Sequence, residues 1–353
     1  MDLDELYGFL PQIEARLKSS YAAARRAAPA SVRPYLDVNQ EFTLRGGKRF
    51  RAILVLAGYY VATGRNPSPA VAAAAALEHF QSWMLVHDDI IDHAEERRGG
   101  VAVHRALAAA HRREGLLGPP DDYGVGIGIT LGDLEETFTV EALMGSRASA
   151  AARLAAVAEY VQMTRLTAYG QLLDIRNGVL PPGVVTEADV LDVHRLKSAV
   201  YTVAAPLAIG ALLGGARRSR LADLEAIAID LGIAFQLRDD VLGAGFDAKD
   251  AGKSANDLIE GKRTLLVVHA WRNGGPDDRA ALERVLGRAD ATGAELEAAR
   301  EVIRRTGSLA HSEERIGQLT ERALGRLRRS RTIRSDAKPV LGALADRLTR
   351  RRA

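Results

Sequence analysis

Residues 71–92 read VAAAAALEHFQSWMLVHDDIID, an apolar helical pattern that ends in a cluster of aspartates. Apolar side chains recur at three- and four-residue intervals along the stretch, which predicts an α-helix. The part before the aspartates is too apolar for a surface helix, so we expect the helix to be buried. Asp88 and Asp92 stand four residues apart and therefore share one helical face, with Asp89 beside them. Carboxylates that repel one another at the end of a buried helix need cations or strong hydrogen-bond donors.

The same helical period covers most of the chain. It extends through residues 3–28 and 149–175 without interruption. Shorter helical patterns lie at about 48–62, 101–113, 187–213, 219–242, 263–272, 278–288, 292–306, 309–329 and 336–350. No alternating run of β-branched residues supports a sheet, and no break is long enough for an interdomain linker. We therefore predict one all-α domain over residues 1–353, a bundle of more than ten helices.

Composition narrows the class of protein. Hydrophobic residues make up 47% and charged residues 26% of the 353 positions, which is ordinary for a soluble globular protein. The absence of cysteine excludes disulfides and thiolate metal sites and favours the cytoplasm. The acidic N-terminal segment predicts no signal peptide, and the apolar runs are shorter than the roughly 20 residues of a transmembrane span. A net charge of +3 is too small to indicate nucleic-acid binding, and the late arginine runs are typical of solvated surface.

Two interpretations of the acidic cluster remain open at this point. The carboxylates of Asp88, Asp89 and Asp92 suit a divalent cation such as Mg²⁺, or they end a helix in solvent. The buried character of the preceding helix favours the metal. Arg97 and Arg98 follow within ten residues of Asp88, and guanidinium groups match phosphate oxygens in geometry.

A second acidic pair occurs in a similar setting. In LGIAFQLRDDVLGAGFD, Asp239 and Asp240 end another apolar helix, after Gln236. Two helices of one bundle, each ending in paired aspartates, could face one another across a cavity. Such an arrangement can bind a metal-bound diphosphate from both sides.

Basic residues complete the pattern. RGGKRFR places Lys48 and Arg51 three residues apart after a Gly-Gly turn, which predicts that both lie on one helical face. LKSAVY contributes Lys197, and AGKSANDLIEGKRT contributes Lys253 and Lys262. Each lysine alone is typical of surface, but together with the acidic pairs they indicate a site for phosphorylated ligands.

With these motifs in order, the chain resembles the trans-isoprenyl diphosphate synthases, or polyprenyl synthetases, of the short-chain farnesyl and geranylgeranyl type. The resemblance runs from GGKRFR to EGKRTLLV and covers nearly the whole chain. The matching motifs are GGKRFR, DDIID with RRG four residues later, GD at Gly132-Asp133, FQLRDD and GKSANDLIEGK. It implies an all-α bundle around a deep central cavity, a homodimer, and condensation of isopentenyl diphosphate with an allylic (dimethylallyl, geranyl or farnesyl) diphosphate.

The resemblance also implies a role for each matching residue. It implies three Mg²⁺ ions held by the acidic motifs, with these metal ligands: Asp88, Asp89, Asp92, Asp239 and Asp240. The residues implied for contact with the allylic diphosphate are Arg97, Lys197 and Lys262, and Ser198 and Gln236 are implied as further catalytic residues. The residues implied for isopentenyl diphosphate are Lys48, Arg51 and Arg98. Lys253 and Gln81 are implied as further substrate-binding residues, and Gln81 can hydrogen-bond a phosphate oxygen.

The chain departs from the family pattern at three positions. Gln81 stands where the family often has His, and Ser198 stands where Thr is common. The second motif usually reads DDxxD, and Gly243 replaces its last aspartate, with Asp247 further on as a candidate substitute. Because Asp239 is the position expected to touch metal, we expect activity to survive.

Product length is predicted from the helix that carries the first motif. Trp83 and Met84 precede Asp88 by five and four residues, about 6–7.5 Å along the axis. Bulky residues here accompany short products in the family, so we predict fifteen carbons, with twenty as the alternative. Trp83 could instead face the bundle core and serve packing alone.

Two other functions remain in competition. A class I terpene cyclase shares the bundle and the DDxxD motif, but it would not need a second diphosphate site. A silent subunit of a heteromeric synthase should have lost first-motif residues, and this chain keeps them. His79, His87 and His104 lack a matched ligand set, so packing and hydrogen bonding are the roles expected of them.

Overall fold

The computed structural model describes residues 1–246 and 256–349, and within these ranges the regular secondary structure is almost entirely helical. The exception is a short antiparallel hairpin in which β1 (Glu96–Arg97) pairs with β2 (Gly100–Val101). The prediction of an all-α protein is confirmed.

The helices group into two compact units. The first comprises residues 1–158 and 206–216, and the second comprises residues 159–205 and 217 onwards. Helices of the first unit are α1 (Leu3–Tyr7), α2 (Leu10–Ala27), α3 (Arg33–Leu44), α4 (Phe50–Thr63), α5 (Val71–Ile91), α6 (Val103–Glu114) and α7 (Pro120–Met144). Helices of the second are α11 (Ala222–Gly243), α12 (Asn256–Ile259), α13 (Leu265–Asn273), α14 (Pro276–Glu283), α15 (Gly293–Arg305), α16 (Ser308–Arg329) and α17 (Lys338–Thr349). That the whole chain is one domain stays a prediction.

Two long helical stretches contribute residues to both units. The first is α8 (Ala150–Val179). The second runs from Glu187 to Leu213 as α9 (Glu187–Val193), a π-helical segment (His194–Ala204) and α10 (Ala205–Leu213). It has the limits expected from the sequence. Although it is long and apolar enough to cross a membrane, 78% of its most apolar window is buried within the protein, as in the core helices of water-soluble proteins.

The N-terminal region is two helices rather than the single helix predicted over residues 3–28. Asp2 caps the five-residue α1 by accepting a hydrogen bond from the Glu5 backbone N–H. The helix ends at Gly8, and α2 begins anew with Pro11 in its first turn. Proline has no backbone N–H to donate, so it starts a helix readily and interrupts one that would run through it.

Helix α5 is the central element of the first unit. It packs on α7, α4, α2 and α6 and buries Ala73–Leu77 and Phe80. Its partner α7 was absent from the sequence-based helices, since glycine disfavours helix interiors and α7 contains several. One of them, Gly124, leaves space for close packing, because a Cβ there would lie 2.2 Å from the backbone oxygen of His104.

The core of the second unit surrounds α11. Helices α16 and α17 and the π-helical segment pack against it. Buried Leu237, Val241, Leu258 and the run Leu265–Val268 form part of this core. The elements that carry FQLRDD and EGKRT therefore belong to one packed structure.

Candidate active site

The first acidic motif lies at the C-terminal end of α5, as predicted. Asp92 is the residue that caps the helix, and Asp88 and Asp92 are partly exposed. Asp89 is fully buried and accepts a hydrogen bond of 2.6 Å from Arg97 Nε, which the β1–β2 hairpin positions beside it. The motif therefore consists of two accessible carboxylates and one that is held by an arginine.

Burial and neighbouring carboxylates both disfavour the charged form of Asp89. Burial raises the pKa of this carboxyl to about 6; Arg97 opposes the rise, and Asp88 and Asp92 add to it. Its Oδ2 atom is buried and has no hydrogen-bond partner among the described residues. The end of α5 is thus a site of concentrated negative charge.

This end of α5 fits a bound Mg²⁺ ion. Within residues 1–246 and 256–349, no three acidic or histidine side chains are already gathered around one point. Mg²⁺ commonly takes only one or two carboxylates and completes its shell with phosphate oxygens and water. Asp88 and Asp92 supply such oxygens, and the dipole at a helix C-terminus favours a cation there.

The GGKR turn differs from the prediction. Helix α4 begins only at Phe50, so Lys48 lies in the turn and does not share a helical face with Arg51. The turn has left-handed backbone at Gly46 (φ 46°), Gly47 (φ 123°) and Arg49 (φ 50°), and these conformations end any helical continuation. A non-glycine residue in this region is uncommon, and Arg49 is held there by its contacts.

Those contacts make Arg49 the buried anchor of the turn. Its Nη1 donates to Glu78 Oε2 at 2.9 Å, and its Nη2 donates to the backbone oxygen of Thr43 at 3.0 Å. Both side chains of the Arg49–Glu78 pair are 3% exposed. Neither residue was singled out from the sequence, although a charged residue within an apolar helical run, as at Glu78, is a usable signal.

Arg98 completes a cationic pocket in the first unit. Its guanidinium lies beside Gly47, with Cζ 3.9 Å from where a Cβ would be. Burial lowers the pKa of Arg98 to about 10; Glu78 opposes this, while Arg49 and Arg51 strengthen it. Its Nη1 atom is buried without a hydrogen-bond partner among the described residues. A buried guanidinium N–H without a partner favours the binding of an anion.

Three predicted residues occupy different faces of α5. Gln81 is buried, and its Oε1 atom has no partner within the described part of the chain. Trp83 makes edge-to-face contacts with Phe80 and lies 3.3 Å from where a Cβ on Gly132 would be, so it packs towards α7. Met84 is four residues from Asp88 and shares its side of the helix.

In the second unit, the π-helical segment positions Lys197. Its Nζ lies 2.6 Å from Asp174 Oδ2, and Ser198 beside it is buried. A Cβ on Gly170 would lie 2.2 Å from the Lys197 backbone nitrogen, so α8 approaches the segment closely. π-Helical turns often occur at functional sites. Asp174 was not among the predicted site residues, because it has no acidic neighbour in the sequence to mark it.

The second acidic motif also contains one accessible and one held carboxylate. Asp240 is buried and accepts hydrogen bonds from His194 Nε2 at 2.8 Å and from Gln236 Nε2 at 2.9 Å. Asp239 is partly exposed. The structure therefore connects Gln236 to Asp240, and it adds His194, which lies outside the predicted motifs.

Lys262 lies in an acidic environment near the end of α12. Its Nζ is 2.5 Å from Glu260 Oε2 and 3.5 Å from Asp257 Oδ1. Burial raises the pKa of Asp257 to about 7; Lys262 opposes the rise, and Asp240 adds to it. The predicted Lys253 and Asp247 lie outside the described residues.

The three histidines considered for a metal site have structural contacts. His79 Nδ1 lies 2.6 Å from Glu135 Oε2, with both side chains fully buried. His87 Nε2 lies 3.1 Å from the backbone oxygen of Ile129. His104 is buried, and its Nδ1 atom has no hydrogen-bond partner among the described residues. The contacts of His79 and His87 agree with the packing and hydrogen-bonding roles expected of them.

Comparison with known proteins identifies the family. The model of the polyprenyl synthetase family matches residues 33–303. A short chain isoprenyl diphosphate synthase from Methanothermobacter thermautotrophicus is 33% identical over 256 residues, which are 72% of each chain. A geranylfarnesyl diphosphate synthase from Aeropyrum pernix is 30% identical over 312 residues, or 87% of this chain and 91% of the relative.

A solved structure agrees with these sequence matches. The geranylgeranyl pyrophosphate synthase of Corynebacterium glutamicum, solved with isoprenyl diphosphate and magnesium, superposes with a TM-score of 0.90 at 34% identity over 100% of both chains. The all-α fold is therefore the terpenoid synthase fold of such enzymes. With its matching motifs, family model and fold, the chain belongs to the polyprenyl synthetase family.

Proposed function

We propose that the protein is a Mg²⁺-dependent short-chain trans-prenyltransferase that condenses isopentenyl diphosphate with an allylic diphosphate. The observation that carries this proposal is the pocket that Arg49, Arg51 and Arg98 form around Glu78, in which the Arg98 Nη1 atom is buried without a hydrogen-bond partner among the described residues. One of its members, Arg98, follows Asp92 by six residues along the chain. The enzymes named in the comparisons support the same reaction class.

The acidic motifs hold the metal in this proposal. Asp88 and Asp92 would ligate two Mg²⁺ ions, and Asp239 a third. Asp89 and Asp240, both buried and hydrogen-bonded, orient Arg97 and Gln236 as well as adding negative charge. When bound, Mg²⁺ neutralises the allylic diphosphate and makes it a better leaving group.

Cationic side chains act on the same diphosphate. Arg97, Lys197 and Lys262 donate hydrogen bonds to its oxygens, and these bonds strengthen as negative charge develops on the leaving group. Ser198 and Gln236 add neutral donors. The contact with Asp174 keeps the Lys197 ammonium in place before the substrate binds. On binding, Lys197 would exchange this contact for one with the diphosphate.

The cationic pocket binds isopentenyl diphosphate. Lys48, Arg51 and Arg98 contact its diphosphate, which does not leave, and Gln81 contributes a further hydrogen bond. The bound molecule presents its double bond to the allylic carbon, and attack forms the new carbon–carbon bond. A proton then leaves to the departing diphosphate, and the product is an allylic diphosphate one isoprene unit longer.

The competing functions are less well supported. A terpene cyclase needs no second diphosphate, so the buried pocket at Arg98 would have no ligand. A silent subunit would not need Asp88, Asp92 and Arg97 together. For product length, Met84 shares the side of Asp88 whereas Trp83 packs on α7, so Met84 is the stronger candidate to limit the chain to fifteen or twenty carbons.

We also propose a homodimer that works in the cytoplasm. Helix α8 exposes four apolar side chains: Leu154 (71% exposed), Val161 (46%), Leu172 (66%) and Val179 (81%). Spacings of seven and eleven residues keep these side chains on one helical face, and such a stripe suits burial against a second copy. Multi-angle light scattering should give a dimer, and Leu154→Glu with Leu172→Glu should give a monomer. A wild-type monomer would contradict the homodimer.

Binding measurements test the site assignment. Calorimetry with isopentenyl diphosphate should show roughly tenfold weaker binding, or more, for Lys48→Ala and Arg51→Ala, since each loses a charged hydrogen bond worth about 1.5–3 kcal/mol. The exposed Arg113→Ala is the matched control and should bind as the wild type. Lys197→Ala should leave this binding intact and lower kcat instead. Equal affinity in all variants would overturn the assignment.

A further inference from the structure

The hairpin that carries Arg97 and Arg98 has little internal structure to hold it. Each strand is two residues long, and Arg97 pairs with Gly100 across a two-residue turn. Both turn residues have positive φ, 55° at Arg98 and 73° at Gly99, as tight hairpins of this length commonly do. This conformation is unfavourable for a residue with a side chain, and an isolated two-stranded hairpin is marginal in water. Contacts from outside the hairpin must therefore fix its position.

Arg45, the residue that follows α3, contacts both strands of this hairpin. Its Nη1 atom donates to the backbone oxygen of Arg97 in β1 and to that of Val101 in β2, each at 3.0 Å. The Asp89 carboxylate, in comparison, holds the hairpin through the side chain of Arg97. The Arg45 side chain is 18% exposed, whereas that of its ion-pair partner Glu41 is 61% exposed. Arg45 thus connects the start of the GGKR turn to the backbone of the hairpin.

Gly100 leaves the space that the Arg45 guanidinium occupies. A Cβ at this position would lie 2.6 Å from both Cζ and Nη1 of Arg45, well inside van der Waals contact. Gly100 does not share the positive φ of Gly99, so the space for Arg45, and not the backbone conformation, requires a glycine here. The guanidinium groups of Arg45 and Arg98 both lie near the Phe42 ring, with Cζ 5.7 and 6.0 Å from its centroid. Arg45 is therefore packed against the strands and close to the turn residue Arg98.

We propose that Arg45 is a positioning residue for both substrate sites, because it holds the hairpin that presents Arg97 to one diphosphate and Arg98 to the other. The inference rests on the proposed function, which assigns these two arginines to the allylic and the isopentenyl diphosphate. Arg45 itself contacts neither substrate, since its Nη1 donates to backbone oxygens and its Nε and Nη2 donate to Glu41. Gly100 is part of the same arrangement, since a side chain there would displace the guanidinium from the hairpin.

The test is binding of isopentenyl diphosphate to the full chain, measured by calorimetry without an allylic substrate. Arg45→Met keeps an unbranched side chain but removes the donors, and it should weaken binding roughly tenfold. Gly100→Ala retains Arg45 but displaces its flexible guanidinium, so it should also weaken binding. Glu41→Gln leaves the Nη1 contacts in place and should bind as the wild type. Gly126→Ala, where a Cβ meets nothing within 4 Å, is the matched control for the glycine variant.

A double-mutant cycle distinguishes positioning from a general loss of structure. If Arg45 acts on isopentenyl diphosphate through Arg98, Arg45→Met should cause little further loss of affinity in an Arg98→Ala background. A general structural effect would instead weaken binding by the same factor in both backgrounds. Kinetics give a second readout: Arg45→Met should lower kcat as well, because Arg97 is displaced from the allylic diphosphate, whereas Lys48→Ala should mainly raise the KM for isopentenyl diphosphate.

The outcomes separate this inference from the proposed function. If the wild type binds isopentenyl diphosphate and Arg45→Met and Gly100→Ala bind it equally well, the inference is wrong and the proposed function stands. Equal losses in the two backgrounds of the cycle would also overturn the inference. If the wild type does not bind isopentenyl diphosphate, the proposed function itself fails. Circular dichroism of each variant establishes that folded proteins are compared, and Gly100→Ala provides the test if Arg45→Met does not fold.

Discussion

Glu78 is the residue on which the cationic pocket depends. Its Oε2 atom accepts from Arg49, and its Oε1 atom lies 3.4 Å from the backbone nitrogen of Ala52 at the start of α4. It therefore ties the GGKR turn to α5 and offsets part of the charge of Arg98. Glu78 is not itself proposed to contact isopentenyl diphosphate, but it holds in place the residues that are.

Replacing Glu78 by Gln should loosen this pocket. The variant keeps the size of the side chain but leaves buried guanidinium groups without their counter-ion, so unfolding free energy should fall by about 3 kcal/mol. The KM for isopentenyl diphosphate should rise roughly tenfold with a smaller change in kcat, because the turn that carries Lys48 loses its anchor. Urea denaturation and steady-state kinetics measure the two effects. Glu41→Gln, which removes an exposed ion pair with Arg45, is the control; an unchanged KM in Glu78→Gln would contradict the anchoring role.

Replacing the carboxylates at the end of α5 should lower turnover without lowering stability. Asp88→Ala or Asp92→Ala removes a proposed metal ligand, so turnover should fall at least roughly a hundredfold, or about 2.7 kcal/mol in the barrier. Stability of the metal-free protein should stay the same or rise, because one repelling charge is lost. Kinetics at saturating Mg²⁺ and thermal melts measure both quantities. Near-normal turnover in either variant would refute the assignment, and exposed Asp122→Ala serves as control.

The contact between α8 and the π-helical segment depends on one glycine. Gly170→Ala would place a methyl group 2.2 Å from the Lys197 backbone nitrogen, which neither backbone can accommodate without moving. We expect a loss of about 1–3 kcal/mol in stability and reduced kcat, because Lys197 is displaced. The control is Gly178→Ala in the same helix, where a Cβ meets nothing within 4 Å and stability should rise by about 0.5–1 kcal/mol. Equal stability of the two variants in urea denaturation would contradict this account.

Product length is set, in our account, along α5. Met84 lies about 6 Å below Asp88 on its side of the helix, so Met84→Ala should lengthen the prenyl chain. Trp83→Ala should instead lower stability without lengthening the product, because its ring packs on Phe80 and beside Gly132. Chromatography of the products and thermal melts distinguish the two. Unchanged products from Met84→Ala and from the double variant would exclude a floor at these positions.

Helices with a strong periodic pattern of apolar residues could be predicted from the sequence. Features that depend on packing between helices could not. The helix from Glu187 to Leu213 has its predicted limits, although its π-helical segment comes from packing that no local pattern records. Helix α7 was missed because its glycines reduce helix propensity, while their value lies in contacts such as Gly124 with the His104 backbone. Helix α3 (Arg33–Leu44) was missed as well.

The same distinction applies to the candidate site. Asp88, Arg98 and Asp239 stand in recognisable motifs, so they could be selected from the sequence as site residues. Asp174 and His194 could not, since they meet their partners Lys197 and Asp240 only through packing of separate helices. The placement of Lys48 was predicted wrongly, because the left-handed backbone at Arg49 depends on a buried contact with Glu78.

The family, the fold and the motifs are all consistent with one reaction class, prenyl transfer. The chain covers 72% and 91% of the lengths of the two relatives compared, and the family model extends over most of its helices. Each substitution tests one part of the site, whereas an assay of the wild-type protein tests the whole reaction.

The most direct measurement is incubation of the purified protein with Mg²⁺, isopentenyl diphosphate and each of dimethylallyl, geranyl and farnesyl diphosphate, followed by chromatography and mass spectrometry of the products. We predict Mg²⁺-dependent formation of linear all-trans prenyl diphosphates of fifteen or twenty carbons, with one inorganic diphosphate released for each isopentenyl unit added. Cyclic hydrocarbons formed without consumption of isopentenyl diphosphate, or no product from any primer by the folded protein, would contradict the account.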